Sequence, residues 1–263
     1  MTVRLCELPI RGGWEGCMDA ALEACGMPPK PRVAVLPELF TIGYRLDLIP
    51  GAALEPGALG DLPLADAAGS LGIWIVGGSF PVRGPKGITN CVPVFDPRGR
   101  LAHTAEKIHL FRSMGEHRVF TGGYPSGVFD MSGLTAGAAV CYDLRFPEVF
   151  RPVALAGAEI LFIPAQWPLV RRGVFRNLLA ARSAEAQVFT AGCNLGGDHL
   201  GVRYRGGGAV AAPSGSFLPG ERVAPGIMDF TVEPGMVREE RRRIDCLADR
   251  RPEVYQTGFG GPA

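Results

Sequence analysis

Residues 136–157, AGAAVCYDLRFPEVFRPVALAG, read as a strand, a turn and a helix in one short stretch. AGAAV is apolar on both faces, the mark of a strand buried between two layers. Pro147 suits the first turn of a helix, where its fixed φ helps and its missing N–H costs nothing, and Gly157 marks the end. Pro152 interrupts the middle of that helix. Cys141 falls at the junction between strand and turn, with small residues before it that leave room for a small molecule. In such a turn the backbone N–H of Tyr142 is expected to be exposed and able to meet a developing negative oxygen, as in other strand–nucleophile–helix turns.

Working outward, further apolar runs read as strands at 33–37, 73–79, 91–96, 101–107, 159–165, 188–194, 207–213 and 226–232, with an opening strand in VRLCELP. Helical patterns lie near 14–26, 61–71, 147–157, 171–186 and 233–243. Hairpins are expected within 73–107 and again within 207–232. Gly 37 and Pro 23 supply the many turns this needs. Strands apolar on both faces, alternating with helices, predict an α/β fold: a four-layer αββα sandwich of two mixed β-sheets with helices outside. No linker, repeat or low-complexity segment divides the 263 residues, so one domain over 1–263 is expected.

Composition excludes several classes of function. A formal net charge of +1, with one short basic run at Arg241–Arg243 that follows two glutamates, provides no concentrated positive face for nucleic acid. No signal peptide is legible at the N-terminus, and no apolar run approaches the roughly 20 residues that cross a bilayer. The 7 cysteines are scattered and form no C-x-x-C pair, against a zinc or redox motif and in favour of a reducing cytoplasm. Of the 27 basic residues only Lys30, Lys86 and Lys107 are lysines.

Three polar residues end apolar strands. Glu38 follows VAVLP, Lys107 closes LAHTAEK, and Cys141 follows AGAAV. Each alone is ordinary: a turn carboxylate, a solvated lysine, a small buried thiol. Together they place a carboxylate, an ammonium and a thiol at carboxyl ends of strands, where functional groups of α/β sheets converge.

VAVLPELFTIGY (33–44), EKIHLF (106–111), GAAVCYDLRFPE (137–148) and ARSAEAQVFTAGCN (181–194) resemble, in order, the successive motifs of the nitrilase superfamily of carbon–nitrogen hydrolases. RRIDCLADRRPEVY (242–255) is similar to the tail of its amidase members, so the likeness runs from about residue 33 to residue 255. HLFRSMGEH (109–117) and IPAQWPLVRR (163–172) look most like the omega-amidase branch, which hydrolyses side-chain amides of short 2-oxo acids. The resemblance implies that Cys141 is the nucleophile, Glu38 the general base, Lys107 the oxyanion stabiliser and Glu116 a second glutamate that orients the lysine and the substrate amide. It also implies a thioester intermediate, ammonia release, no metal or organic cofactor, and a homodimer or larger homo-oligomer. Phe40, Tyr44, Arg112, Arg145 and Trp167 are candidates for the pocket rim, with Arg112 or Arg145 placed to grip a substrate carboxylate bidentately.

The chain departs from the family pattern at several points. Glu7 stands where glutamine is frequent, Ala184 and Ala186 replace isoleucine and asparagine, and Phe175 replaces a tryptophan of the omega-amidase branch. The short interval before VAVLP implies a shortened first helix. N-carbamoyl compounds, aliphatic amides and the amide of deaminated glutathione remain alternative substrates. A Cys141–His109 thiol hydrolase and a catalytically silent scaffold are the rival readings.

Overall fold

Val33 and Val35 face one buried cluster while Ala34 and Leu36 face another, so a single short strand serves two interiors. This alternation organises the computed structural model, which describes residues 1–255. The strands are β1 (Thr2–Cys6), β2 (Val33–Val35), β3 (Trp74–Val76), β4 (Phe80–Gly84), β5 (Gly87–Phe95), β6 (Leu101–Glu106), β7 (Phe129–Asp130), β8 (Thr135–Ala138), β9 (Ile160–Ala165), β10 (Phe189–Asn194), β11 (Asp198–His199), β12 (Val202–Arg203), β13 (Ala209–Ala211), β14 (Gly220–Ala224) and β15 (Ile227–Thr231). The helices are α1 (Gly13–Gly26), α2 (Ile49–Ala52), α3 (Pro63–Leu71), α4 (Pro147–Leu155), α5 (Arg172–Ala186), α6 (Gly235–Arg243) and α7 (Pro252–Tyr255).

An eight-stranded sheet runs β14-β15-β1-β2-β3-β5-β4, with β6 added on β5, and a five-stranded sheet runs β13-β10-β9-β8-β7. Both are mixed: β1, β2 and β3 are parallel, as are β8, β9 and β10, while the flanking strands run antiparallel. Between the sheets, Val3, Val33, Val35 and Val76 share one core with Ala136, Leu161, Ile163 and Ala191. Outside the first sheet, Ala34, Leu36 and Ile75 pack on Met18, Ala21, Leu64 and Ala68 of α1 and α3. Outside the second, Phe150 of α4 and Phe175 and Leu179 of α5 close the other flank. The result is the four-layer αββα sandwich. Among the described residues no helix is long and apolar enough to cross a membrane.

Several expectations need correction. A hairpin does lie within 207–232, but β14 and β15 make it, and the strand at 207–213 takes no part. Its core, β13, joins the second sheet beside β10, and β15 pairs instead with β14. β14, GERVA, is an exposed polar edge strand and carries no apolar signal. β4 was likewise hidden, because FPVRG mixes a proline with charge.

One buried cation ties the N-terminal strand to its neighbours. Arg4, fully buried, donates to Asp229 Oδ1 and Oδ2 at 2.7 and 2.8 Å and to the carbonyls of Ala24, Met27 and Pro29. The guanidinium thus holds β1, β15 and the end of α1 together, with a hydrogen bond for each polar edge it buries.

Candidate active site

Glu38, Lys107, Glu116 and Cys141 come from four separate stretches of chain and meet in one buried group. β2 delivers Glu38, and the chain after it turns through Leu39 at φ 44, a left-handed conformation rare for a branched side chain. The Leu39 N–H is held by Ser79 Oγ at 3.0 Å. Gly78 is required opposite, since a Cβ there would meet Pro37 O at 2.3 Å. β6 delivers Lys107, whose N–H donates to Asn90 O at 2.8 Å. β8 leads to Cys141, itself at φ 46, which opens the 3-10 turn Cys141–Arg145 before Pro147 starts α4.

Lys107 Nζ donates to Glu38 Oε1 at 2.7 Å, to Glu116 Oε1 at 2.8 Å and to the Tyr44 hydroxyl at 3.1 Å. Glu38 also accepts from Tyr44 at 3.1 Å and from Asn90 Nδ2 at 2.9 Å, and its backbone carbonyl takes Gln166 Nε2 at 2.6 Å. Glu116 Oε2 accepts from the Phe111 N–H at 2.6 Å. Burial alone would favour a neutral amine at Lys107, but the charges of Glu38 and Glu116 outweigh it and hold its pKa above the usual lysine range. Burial raises Glu116, opposed by Lys107 and reinforced by Glu38. Burial, followed by the charges of Glu116 and Glu38, pushes Tyr44 well up, so its hydroxyl stays a neutral donor. Tyr204, buried near the same charges, is raised to about 12.

The Cys141 thiol is almost fully buried against this group. Burial raises its pKa well above the ordinary thiol value and the Glu38 charge raises it further, while Lys107 and the Gln166 backbone N–H pull the other way. The resting sulfur is therefore a protonated thiol beside a carboxylate able to take its proton. Among the described residues no acceptor pairs with the Tyr142 N–H.

A narrow cleft opens on the sulfur, lined among others by Tyr44, Met114, Arg145, Trp167 and Arg171. The Arg145 guanidinium lies 5.0 Å from the Trp167 ring centre and 5.9 Å from that of Tyr142, and neither it nor Arg171 has a carboxylate partner among the described residues. Gln166 Oε1 and Trp167 Nε1 in the wall are buried and unpaired, leaving two polar atoms for a ligand to satisfy. Asn194 fixes the Trp167 backbone, accepting its N–H at 2.6 Å and donating to its carbonyl at 2.9 Å. Phe175, the substituted tryptophan, packs on Trp167 with ring centres 5.5 Å apart.

Tyr44, Arg145 and Trp167 thus line the cleft, but two rim candidates do not. Phe40 is a core residue, edge-on to Phe80 at 5.6 Å, because the turn at Leu39 rotates it behind Glu38. Arg112 is exposed and lines a neighbouring cleft with His109 and His117, since the 3-10 turn Arg112–Met114 sends Phe111 and Met114 inward in its place. The Cys141–His109 pairing is also overturned: His109 Nδ1 faces Asp143 Oδ1 at 2.9 Å, and its ring stacks on Phe146. Asn90, Gln166, Arg171 and Asp143 were missed. Arg171 alone had a local signal, as a cation in the PAQWPLVRR segment; the others become informative only through remote partners.

Residues 2–242 match the model of the carbon-nitrogen hydrolase family. The chain belongs to the carbon–nitrogen hydrolase family. Similar to this hydrolase is the 2-oxoglutaramate amidase of Bacillus subtilis (strain 168), 34% identical over 223 residues, 85% of this chain and 86% of that protein. The omega-amidase YafV of Yersinia enterocolitica is 33% identical over 185 residues, 68% of each chain. Among solved structures, the amidase from Nesterenkonia sp. AN1, of the nitrilase superfamily, is a neighbour. A glutamate-to-glutamine variant of it, with acrylamide added at the active-site cysteine, superposes with TM-score 0.83 at 26% identity, covering 97% of this hydrolase and 98% of that chain. These relatives put the hydrolase in the omega-amidase-like branch of the nitrilase superfamily, whose chemistry is cysteine-dependent amide hydrolysis.

Proposed function

We propose that this hydrolase cleaves the terminal amide of a small carboxylate-bearing substrate, such as the omega-amide of a 2-oxo acid, with Cys141 as nucleophile, Glu38 as general base and Lys107 as oxyanion stabiliser. The observation that carries the reading is the buried Lys107 ammonium, 2.7 Å from Glu38, beside a protonated thiol under a cleft that holds two unpaired arginines. As Cys141 Sγ bonds to the amide carbon, its proton passes to Glu38. The carbonyl oxygen becomes an oxyanion between Lys107 Nζ and the Tyr142 N–H, each donor worth about 3–4 kcal/mol at the transition state. The C–N bond then breaks, Glu38 returns the proton to departing ammonia, and a thioester remains. Water adds to the thioester while Glu38 takes its proton, and the collapse frees the carboxylic acid and restores the thiol. Glu116 keeps Lys107 aimed, and its Lys107 partner stays charged throughout.

Arg145, and Arg171 at the start of α5, supply the charge for the substrate carboxylate. The chain works as one domain over 1–263, in the cytoplasm and as a homo-oligomer. Self-association is supported by Leu155 and Val174, 48% and 41% exposed on α4 and α5.

An ammonia-release panel tests the reading, using 2-oxoglutaramate, N-carbamoyl amino acids and simple aliphatic amides, with Cys141→Ala as the blank. The 2-oxo acid amide is expected to turn over fastest, and a flat panel from folded protein overturns the assignment. Iodoacetamide separates enzyme from scaffold: Cys141 is expected to label selectively, and the label to vanish in Cys141→Ala.

A further inference from the structure

Asp143 stands two residues beyond Cys141 and is fully buried. Its carboxylate accepts four hydrogen bonds. Oδ2 takes the N–H of Val140 and of Ile108, each at 3.2 Å, and Oδ1 takes the His109 N–H at 2.8 Å and His109 Nδ1 at 2.9 Å. Three of these donors lie in the two residues after Lys107, and the fourth precedes Cys141. One carboxylate therefore joins the end of the lysine strand to the cysteine turn.

We propose that Asp143 and His109 are positioning residues, which together set the separation of the Lys107 ammonium from the Cys141 sulfur and so govern the chemical step. The proposal rests on the catalytic reading given above. Around Cys141, the Asp143 N–H donates to Val140 O at 2.9 Å while Asp143 Oδ2 accepts from the Val140 N–H, a reciprocal closure that holds the left-handed Cys141 and leaves the Tyr142 N–H free. An ionised carboxylate accepts only, so the His109 ring meets Asp143 with a proton on Nδ1. The ring is fixed from the other side by Phe146, stacked at 3.6 Å and 8°. Neither Asp143 nor His109 lines the cleft over Cys141, so substrate affinity has no direct route through them. Their loss acts on geometry, where a displacement of about 1 Å costs on the order of 100-fold in rate.

The test compares His109→Ala, His109→Asn and Asp143→Asn in the full chain by steady-state ammonia release, iodoacetamide labelling of Cys141 and thermal unfolding. His109→Ala is expected to lower kcat roughly 10-fold with KM within about 2-fold, and to slow labelling in step. His109→Asn is expected to recover most of that loss, because its side-chain amide restores a donor near Nδ1. Asparagine is no base, so recovery also separates positioning from proton transfer by the imidazole. Asp143→Asn turns an NH2 toward N–H donors and is expected to lose on the order of 100-fold in kcat. An unchanged kcat in His109→Ala, an asparagine variant no better than the alanine one, or a raised KM at constant kcat overturns the proposal. If Asp143→Asn fails to fold, the His109 pair decides. Labelling needs no substrate: if wild type hydrolyses no amide yet labelling still falls and recovers across the His109 pair, the substrate reading fails and the positioning role stands.

Discussion

Lys107 Nζ lies 2.7 Å from Glu38 Oε1, and both side chains are wholly buried. Glu116 is a second buried carboxylate on the same ammonium, at 2.8 Å. With one cation among two acids, the cluster has no spare positive charge. Removing the lysine leaves two desolvated carboxylates facing each other, an arrangement that burial strongly disfavours.

Lys107→Met should therefore be both inactive and less stable. Turnover is expected to fall on the order of 100- to 1000-fold through loss of the oxyanion donor. Urea unfolding should show a loss of roughly 3–5 kcal/mol. A variant with wild-type stability would mean that the ammonium does not balance the two acids.

Burial and the Glu38 charge both raise the Cys141 thiol, whereas Lys107 lowers it. Wild-type labelling by iodoacetamide should keep climbing with pH beyond the ordinary thiol range. Glu38→Gln removes one raising influence and retains Lys107, so its labelling profile should move to lower pH while ammonia release collapses. A profile that stays in place would show that Glu38 does not act on the sulfur.

Arg171 is argued to meet the substrate carboxylate at the mouth of the cleft. Charge-assisted hydrogen bonds contribute about 1.5–3 kcal/mol, so Arg171→Ala should raise KM for a carboxylate-bearing amide by at least about 10-fold. KM for an uncharged aliphatic amide should be unaffected. Equal changes for both substrates would assign Arg171 to packing.

Glu7 directly follows the first strand with its carboxyl group buried, which raises its pKa from 4.5 to about 7 despite N–H donors from Gly208, Gly207 and Asn194. Between those two values the folded protein keeps a proton that the unfolded chain has released. The stability this contributes is complete below the unfolded pKa and is lost as pH rises through the folded one. The loss amounts to at most about 3 kcal/mol. Glu7→Gln keeps an oxygen for the Gly208 N–H, 2.6 Å away in wild type. Unfolding midpoints at pH 5 and pH 8 should lie closer together in this variant, with the gain at pH 8. An unaltered difference would place the titration elsewhere.

Strands apolar on both faces were legible because burial between two layers removes every polar alternative. β2, β8, β9 and β10 were all visible in this way, each within a few residues of its boundaries. Edge strands were not: β14 is exposed and polar, and its pairing with β15 is made by contacts absent from its composition. The partner of β13 was misjudged because strand pairing depends on which sheet a segment reaches, and sequence proximity favoured β15.

In the site, residue type at strand ends marked Glu38, Lys107 and Cys141, since an acid, an amine and a thiol stand out against apolar runs. Direction was less legible. Phe40 and Arg112 both follow tight turns that break periodicity, so their side chains left the faces expected for them. Asn90, Gln166 and Asp143 are ordinary polar residues in the sequence. Their meaning comes from partners 52, 128 and 35 positions away.

The amino-acid order by itself thus determined the layered architecture, the family and which polar groups meet in the buried cluster, because each depends on local apolar pattern and on chemically distinctive side chains. Only the tertiary structure decided which residues wall the cleft, that Lys107 is shared by two carboxylates, and that Asp143 bridges two distant segments. Those are relations of distance between remote pieces of chain, and chain closure sets them in a way that neither hydrophobic periodicity nor residue type records.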